Sequence, residues 1–181
     1  ISKGHELIPI RSEVQHAQSY LQIQSVRYKE QFSYHFDVEE DCTEYLCNKI
    51  TLQPIIENAI YHGVNGLVDE GHIEIRVRAD GEDVLFTVED NGVGFDPSKD
   101  FDSSREHIGL SNVRMEPEQI EEIFRRKPDG KSGIGIKNVN DRLKIWFGDA
   151  YGITIESVPD EGTKVTVRMP KVREEAEYEK H

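Results

Sequence analysis

The chain has 181 residues, with 22 Lys and Arg set against 35 Asp and Glu for a formal net charge of −13. That length supports one well-formed core with a short appendage, not two independent domains, and the charge opposes nonspecific attraction to nucleic acid or to an anionic membrane surface. Cys42 and Cys47 are the only cysteines; a zinc site at that spacing lacks its further Cys or His ligands, and two free thiols in a reducing cytoplasm are expected.

From Ser12 to Tyr28 the residues Val14, Ala17, Leu21 and Tyr28 fall on one side of a predicted helix, with Glu13, Gln18, Gln22 and Lys29 elsewhere. Residues 31–38 have strand-like aromatic and β-branched content, and residues 39–44 read as a polar loop. A clearer helix follows, in which Leu52, Ile55, Ile56, Ala59 and Ile60 recur at helical spacing, Thr51 is the predicted cap and Pro54 is tolerated in the first turn. Ile73, Ile75 and Val77 alternate with Glu74, Arg76 and Arg78, and Asp80-Gly81 turns the chain into residues 84–88, which predicts an antiparallel pair with one buried face. Ile136, Val139, Leu143 and Phe147 mark another helix. Ile153-Thr154-Ile155, a turn from Pro159 to Gly162, and the alternating Val165, Val167 and Met169 close the chain. Helices and strands are thus segregated, which predicts a two-layer α/β sandwich of the α+β kind, with a mixed, mostly antiparallel sheet.

No apolar run approaches the roughly 20 residues that a spanning helix needs, and the amino terminus lacks a signal-peptide pattern. The chain begins at Ile1 without a methionine and ends in the acidic run Glu174-Glu175-Ala176-Glu177-Tyr178-Glu179. It is expected to be a soluble piece of something larger, making no direct membrane contact itself.

Three short motifs follow one another along this frame. Asn58 and His62 lie one helical turn apart on the face opposite Ile56 and Ile60 and are expected to point into one cleft. Magnesium keeps several waters and takes few protein ligands, so the Asn58 amide oxygen together with phosphate oxygens suffices to anchor it, with His62 donating to a phosphate. Asp90-Asn91-Gly92-Val93-Gly94 ends an apolar strand, and a carboxylate there accepts from the amino group of adenine, where guanine carries a carbonyl. Gly133-Ile134-Gly135 opens a helix expected to begin near Ile136, whose free N–H groups and positive dipole end suit an anion. Each motif alone reads equally as an exposed helix end, an ordinary Asp-Asn-Gly turn or a structural loop. Their occurrence together, in this order, points to an ATP-binding domain.

The Asn58 helix, Asp90-Asn91-Gly92-Val93-Gly94 and Gly133-Ile134-Gly135-Ile136-Lys137-Asn138-Val139 resemble the N, G1 and G2 boxes of the Bergerat-fold ATPases and kinases. The likeness narrows to sensor histidine kinases of the YesM and LytS type through Leu52-Gln53-Pro54-Ile55-Ile56-Glu57-Asn58-Ala59, Asn138-Val139-Asn140-Asp141-Arg142-Leu143 and the strand ending at Gly162-Thr163. It implies the catalytic, ATP-binding domain of a two-component kinase with ATP and Mg2+ as cofactors. Asn58 would ligate the metal, Asp90 would hold the adenine amino group and Thr163 would assist through water. Gly92, Gly94, Gly133 and Gly135 would shape the pocket and its lid, and Glu57, Asn58 and His62 are the catalytic candidates. Residues 1–30 would be the linker helix from a dimerisation and phosphoacceptor region, residues 31–170 the catalytic domain and residues 171–181 an acidic tail. The partners implied are that upstream domain and, through the full-length kinase, a response regulator; the full-length protein would be a homodimer and a membrane-anchored bacterial receptor with this domain in the cytoplasm.

The pattern is departed from at Pro54, where the ATP-hydrolysing relatives carry a water-activating glutamate, so efficient intrinsic hydrolysis is not expected. The family's phosphoacceptor histidine belongs to an upstream aromatic-rich motif that this sequence lacks; His5 is flanked by Gly4 and Pro9, and neither it nor His16 is expected to be the acceptor. His107-Ile108-Gly109-Leu110-Ser111-Asn112-Val113-Arg114 reads like a second copy of the segment from Gly133 to Val139. The later copy is preferred for phosphate, because Asn140-Asp141-Arg142-Leu143 and the closing strands follow it directly, while Arg125, Arg126, Lys127 and Lys131 offer cations between the two. An anti-sigma-type protein-serine kinase and a non-catalytic nucleotide-sensing or protein-binding module remain as alternatives.

Overall fold

Strand alternation sets the sheet. In the computed structural model, which describes residues 7–28, 31–64, 71–93, 113–115, 132–158 and 160–174, Ile73, Ile75 and Val77 are fully buried while Glu74 and Arg76 face outward. They lie on β4 (Gly71–Asp80), which pairs antiparallel with β5 (Asp83–Asp90) in the predicted hairpin. β2 (Phe32–Val38) lies parallel to β4 on the other side, and β8 (Gly162–Pro170), β7 (Gly152–Val158) and β6 (Val113–Met115) continue antiparallel from β5. The result is a six-stranded sheet of order β2-β4-β5-β8-β7-β6. Its outer face carries ion pairs, among them Arg76 with Glu89, Arg78 with Asp37, and Arg168 with Asp80 and Asp83. Its inner face is covered by α1 (Ile10–Arg27), α2 (Leu52–Asn58) and α3 (Ser132–Phe147), whose apolar residues join those of the sheet in one core. This is the predicted two-layer sandwich with a mixed, mostly antiparallel sheet.

Several local expectations are corrected. α1 starts at Ile10, directly after an extended Pro9, two residues earlier than its apolar spacing alone places it. β1 (Leu7–Pro9) and β3 (Leu46–Asn48) form a small second sheet in segments where no strand was expected. Gly162-Thr163 opens β8 and does not end a strand. α3 begins at Ser132, so Gly133 and Gly135 lie within its first turn and not ahead of it.

Thr51 does not cap α2. It has helical backbone angles and its hydroxyl donates to the Asn48 carbonyl at 2.9 Å. The cap is Glu13, set aside above as a residue off the apolar stripe. Its carboxylate is 2% exposed and accepts from the N–H groups of Ile50 at 3.0 Å, Thr51 at 2.7 Å and Leu52 at 2.8 Å. A charged acceptor at a helix start satisfies orphan donors and meets the positive end of the helix dipole. Glu13→Gln should therefore lower stability to urea by about 2 kcal/mol, since one acceptor oxygen becomes a donor facing buried N–H groups. An unchanged unfolding midpoint would remove Glu13 from this role.

Candidate functional site

The apolar residues of α2 pull its inner side into the core, and Asn58 goes with them: it is 3% exposed, and its Oδ1 has no hydrogen-bond partner among the described residues. An amide oxygen left dry and unpaired is costly in a folded protein. At Asn58 the helix also changes winding, continuing as a π-helical segment over Ala59–Gly63. Such segments recur at functional sites. The side chain of His62 lies outside the described residues, so its predicted alignment with Asn58 rests on the sequence alone.

Glu57 is turned toward α1, where the Tyr20 hydroxyl donates to its Oε2 at 3.4 Å. Burial, followed by the charge of Glu57, pushes the Tyr20 phenol well above its ordinary range. Pro54 lies beneath α3: a Cβ added to Gly135 would come within 3.1 Å of the Pro54 Cβ. Pro54 thus serves helix packing, and Gly135 is the small residue that lets α3 approach it.

Asp90 is the last inward-facing residue of β5, after Val84, Phe86 and Val88, and is 5% exposed. Sheet register places Thr163 of β8 opposite Asp90 and Ser157 of β7 opposite Thr163. The neighbouring row, Val88, Val165 and Ile155, is apolar. A buried polar row therefore ends the inner face of the sheet at one edge.

The Gly92 N–H donates to Asp90 Oδ1 at 2.8 Å, and the Thr163 N–H also donates to this carboxylate. Burial nonetheless pushes the Asp90 carboxyl up to about 7; the two N–H groups oppose that rise and the Glu89 charge adds to it. The turn is pinned by Asn91, whose N–H donates to the His72 carbonyl at 3.2 Å and whose Oδ1 accepts from the His72 N–H at 2.7 Å. Gly94 lies outside the described residues, as do His5, residues 107–112 and the cations Arg125, Arg126, Lys127 and Lys131. Of the earlier glycine-containing copy, Val113 and Arg114 belong to edge strand β6, whereas Gly133 and Gly135 belong to the start of α3. His16 is exposed on α1.

One contributor escaped the sequence reading, and a second was quoted there only within a motif, with no role of its own. Ser157 is 1% exposed in the polar row, and its one signal was a hydroxyl residue at an inward-facing parity in an alternating strand. Asn140 is 2% exposed and its Oδ1 accepts from the Ile153 N–H at 2.8 Å, which ties α3 to β7.

Residues 47–173 match the family described as histidine kinase-, DNA gyrase B-, and HSP90-like ATPase. The chain belongs to this family. Sensor histidine kinase BtsS of Escherichia coli (strain K12) is 29% identical over 170 residues, spanning 94% of this chain and 25% of its own. Sensor histidine kinase YesM of Bacillus subtilis (strain 168) is 27% identical over 165 residues, 91% of this chain and 24% of its own. The chain thus spans about a quarter of the length of these curated relatives. Among solved structures, the catalytic domain of histidine kinase ThkA superposes with a TM-score of 0.58 at 14% identity, covering 92% of this chain and 99% of that one. Full-length ShkA in complex with AMPPNP gives 0.57 at 19% identity over 92% of this chain and 31% of that one. The mixed sheet layered with helices is the fold of histidine kinase catalytic domains, and ATP is the ligand that membership in the family implies.

Proposed function

We propose that this chain binds Mg2+-ATP and presents its γ-phosphoryl group to a histidine on a separate dimerisation domain. The observation that carries the reading is two buried polar groups: the Asp90 carboxylate, held by two N–H groups, and Asn58 Oδ1, unpartnered among the described residues. Asp90 accepts from the adenine amino group and selects it over the guanine carbonyl. Asn58 supplies the neutral amide oxygen that a hard, mostly hydrated cation takes from protein, which fits Mg2+. When bound, that ion neutralises phosphate charge. Among the described residues no group of three or more His, Cys, Asp or Glu is arranged for a metal, so phosphate and water would complete its shell.

Gly92, Gly94, Gly133 and Gly135 would shape the nucleotide pocket and its lid, the last two by offering N–H groups of the first turn of α3 to an anion, and His62 would donate to a phosphate. The base lies against the inward-facing Asp90, on the side of the sheet away from Glu89, Glu156 and Lys164. With Glu57 engaged by Tyr20 and Pro54 under α3, no glutamate in this part of α2 is poised to activate water, and the work of the domain is positioning and charge neutralisation. The upstream acceptor domain, a response regulator, a homodimeric full-length kinase and a membrane-anchored receptor with this domain in the cytoplasm complete the proposal.

Calorimetric titration with ATP, with and without Mg2+, tests it. Wild type should bind ATP more tightly with the metal present, and Asn58→Ala should lose that enhancement while retaining weak metal-free binding. Equal enhancement in both proteins would remove Asn58 as the ligand.

A further inference from the structure

We propose that Tyr20 and Tyr28 of α1 are positioning residues for the metal site: they hold the helix on either side of Asn58 and so keep its amide oxygen available to Mg2+. This rests on the ATP-binding reading above and goes beyond it, because it gives α1, which supplies no ligand, control of the metal affinity.

Asn58 stands where α2 gives way to the π-helical segment Ala59–Gly63. Runs of π winding are rare, and a buried amide oxygen without a partner gains free energy by turning toward any donor within reach. The arrangement at Asn58 therefore has to be held from outside the helix. α1 holds it on both sides. Before Asn58, the Tyr20 hydroxyl donates to Glu57 Oε2 over a long 3.4 Å. After it, Tyr28 at the C-terminal end of α1 meets Tyr61. Their rings stand edge to face, with centroids 6.2 Å apart and planes at 76°, and the two phenols are hydrogen-bonded, which is the favoured geometry for an aromatic pair.

Glu57 and Tyr61 lie one helical turn apart, so the two contacts grip one side of the helix and span the change of winding. Tyr20 and Tyr28 also pack against the hydrophobic core, so each ring is anchored at its own end. Loosening them lets the π-helical segment rewind and the Asn58 amide turn to a donor nearer by. Asp90 is on β5, so contacts to the base are untouched and the loss falls on the metal-dependent part of binding.

Calorimetry of ATP binding with and without Mg2+ tests this on wild type, Tyr20→Phe, Tyr28→Leu, the double variant and Tyr34→Leu. Tyr20→Phe removes one hydroxyl and nothing else. Tyr34 is the control, a half-buried aromatic of edge strand β2 packed against the same core. Each of the first two substitutions should reduce the enhancement by Mg2+ about threefold and the double variant about tenfold, with metal-free affinity unchanged. Tyr28→Phe, which keeps the ring pair, should recover part of the loss. Tyr34→Leu should lower the unfolding midpoint and leave the enhancement intact. In an Asn58→Ala background the two tyrosine substitutions should remove nothing further, because they act through Asn58. Equal weakening of ATP with and without the metal marks general support of the pocket and overturns the inference, as does full enhancement in the double variant. Wild type binding ATP with no enhancement overturns the metal reading of Asn58 and this inference with it; wild type binding no ATP overturns the parent reading as a whole.

Discussion

Asp90→Asn is expected to bind ATP about a hundredfold more weakly than wild type, a loss of about 3 kcal/mol, while remaining folded. The asparagine oxygen can still accept from the Gly92 and Thr163 N–H groups that hold the native carboxylate. Its NH2 then faces the adenine amino group, donor against donor. Stability should move the other way. The folded carboxyl is raised from 3.8 to about 7, mainly by burial, so its contribution to stability is fully present below the lower value and lost as pH rises through the upper one. Near pH 8 wild type holds an ionised carboxylate in a dry site and the variant does not, so Asp90→Asn should melt at a higher temperature there, with the advantage shrinking toward about pH 5. Since the ionised form is the one that accepts from adenine, wild-type ATP affinity should climb roughly tenfold between about pH 6 and about pH 8, and the variant should show no such climb. Calorimetry and thermal melts across this range check all three; wild-type affinity independent of pH would remove the Asp90 carboxylate from base recognition.

Gly162→Ala should have the largest effect on the fold itself. Gly162 has φ +132°, and a Cβ built on it would collide with the Asp90 carbonyl oxygen and crowd the Asn91 Cα. The atoms in the way are backbone and cannot swing aside, so the β5–β8 pairing at the Asp90–Thr163 position must open. A loss of about 3 kcal/mol or more is expected from backbone strain and crowding together, with ATP binding impaired in whatever remains folded. Gly81→Ala is the control: its φ is +60° but a Cβ there meets nothing within 4 Å, and a cost of about 1 kcal/mol is expected from the dihedral alone. Urea denaturation of both separates the two effects, and equal losses would show that close approach to Asp90 contributes nothing.

The parts of this architecture that were legible in the sequence are those whose cause is local. Burial of one face wrote the alternation of Ile73, Ile75 and Val77 and the helical spacing of Leu52, Ile55, Ile56, Ala59 and Ile60 directly into the chain. Asn58 and Asp90 stand out in the sequence as candidates for another reason, because the glycines and polar residues around them form short contiguous patterns, and both are buried in the fold. What was hidden depends on partners far along the chain. Glu13 looked like an ordinary solvated helix residue, since the N–H groups it caps belong to Ile50, Thr51 and Leu52. The β1–β3 pair is too short to show a period, and the parallel placement of β2 beside β4 has no signature in β2 alone. Ser157 joins the polar row only through the register of β7 on β8. The start of α1 was misplaced because the buried Ile10, in helical spacing with Val14, Ala17 and Leu21, was left out of the apolar stripe, and that of α3 because its spacing was read from Ile136 while the helix begins at Ser132.

Phosphoryl transfer to a histidine outside this chain is the central claim, and γ-labelled ATP measures it most directly. The chain is incubated with labelled ATP and Mg2+, alone and with the upstream dimerisation and acceptor region supplied as a separate protein. Label should appear on a histidine of the supplied region, with little on this chain and little free phosphate, and Asp90→Asn should abolish the transfer. Stable label on His5 or His16 of the chain alone, or rapid release of phosphate with none reaching the acceptor region, would contradict the account.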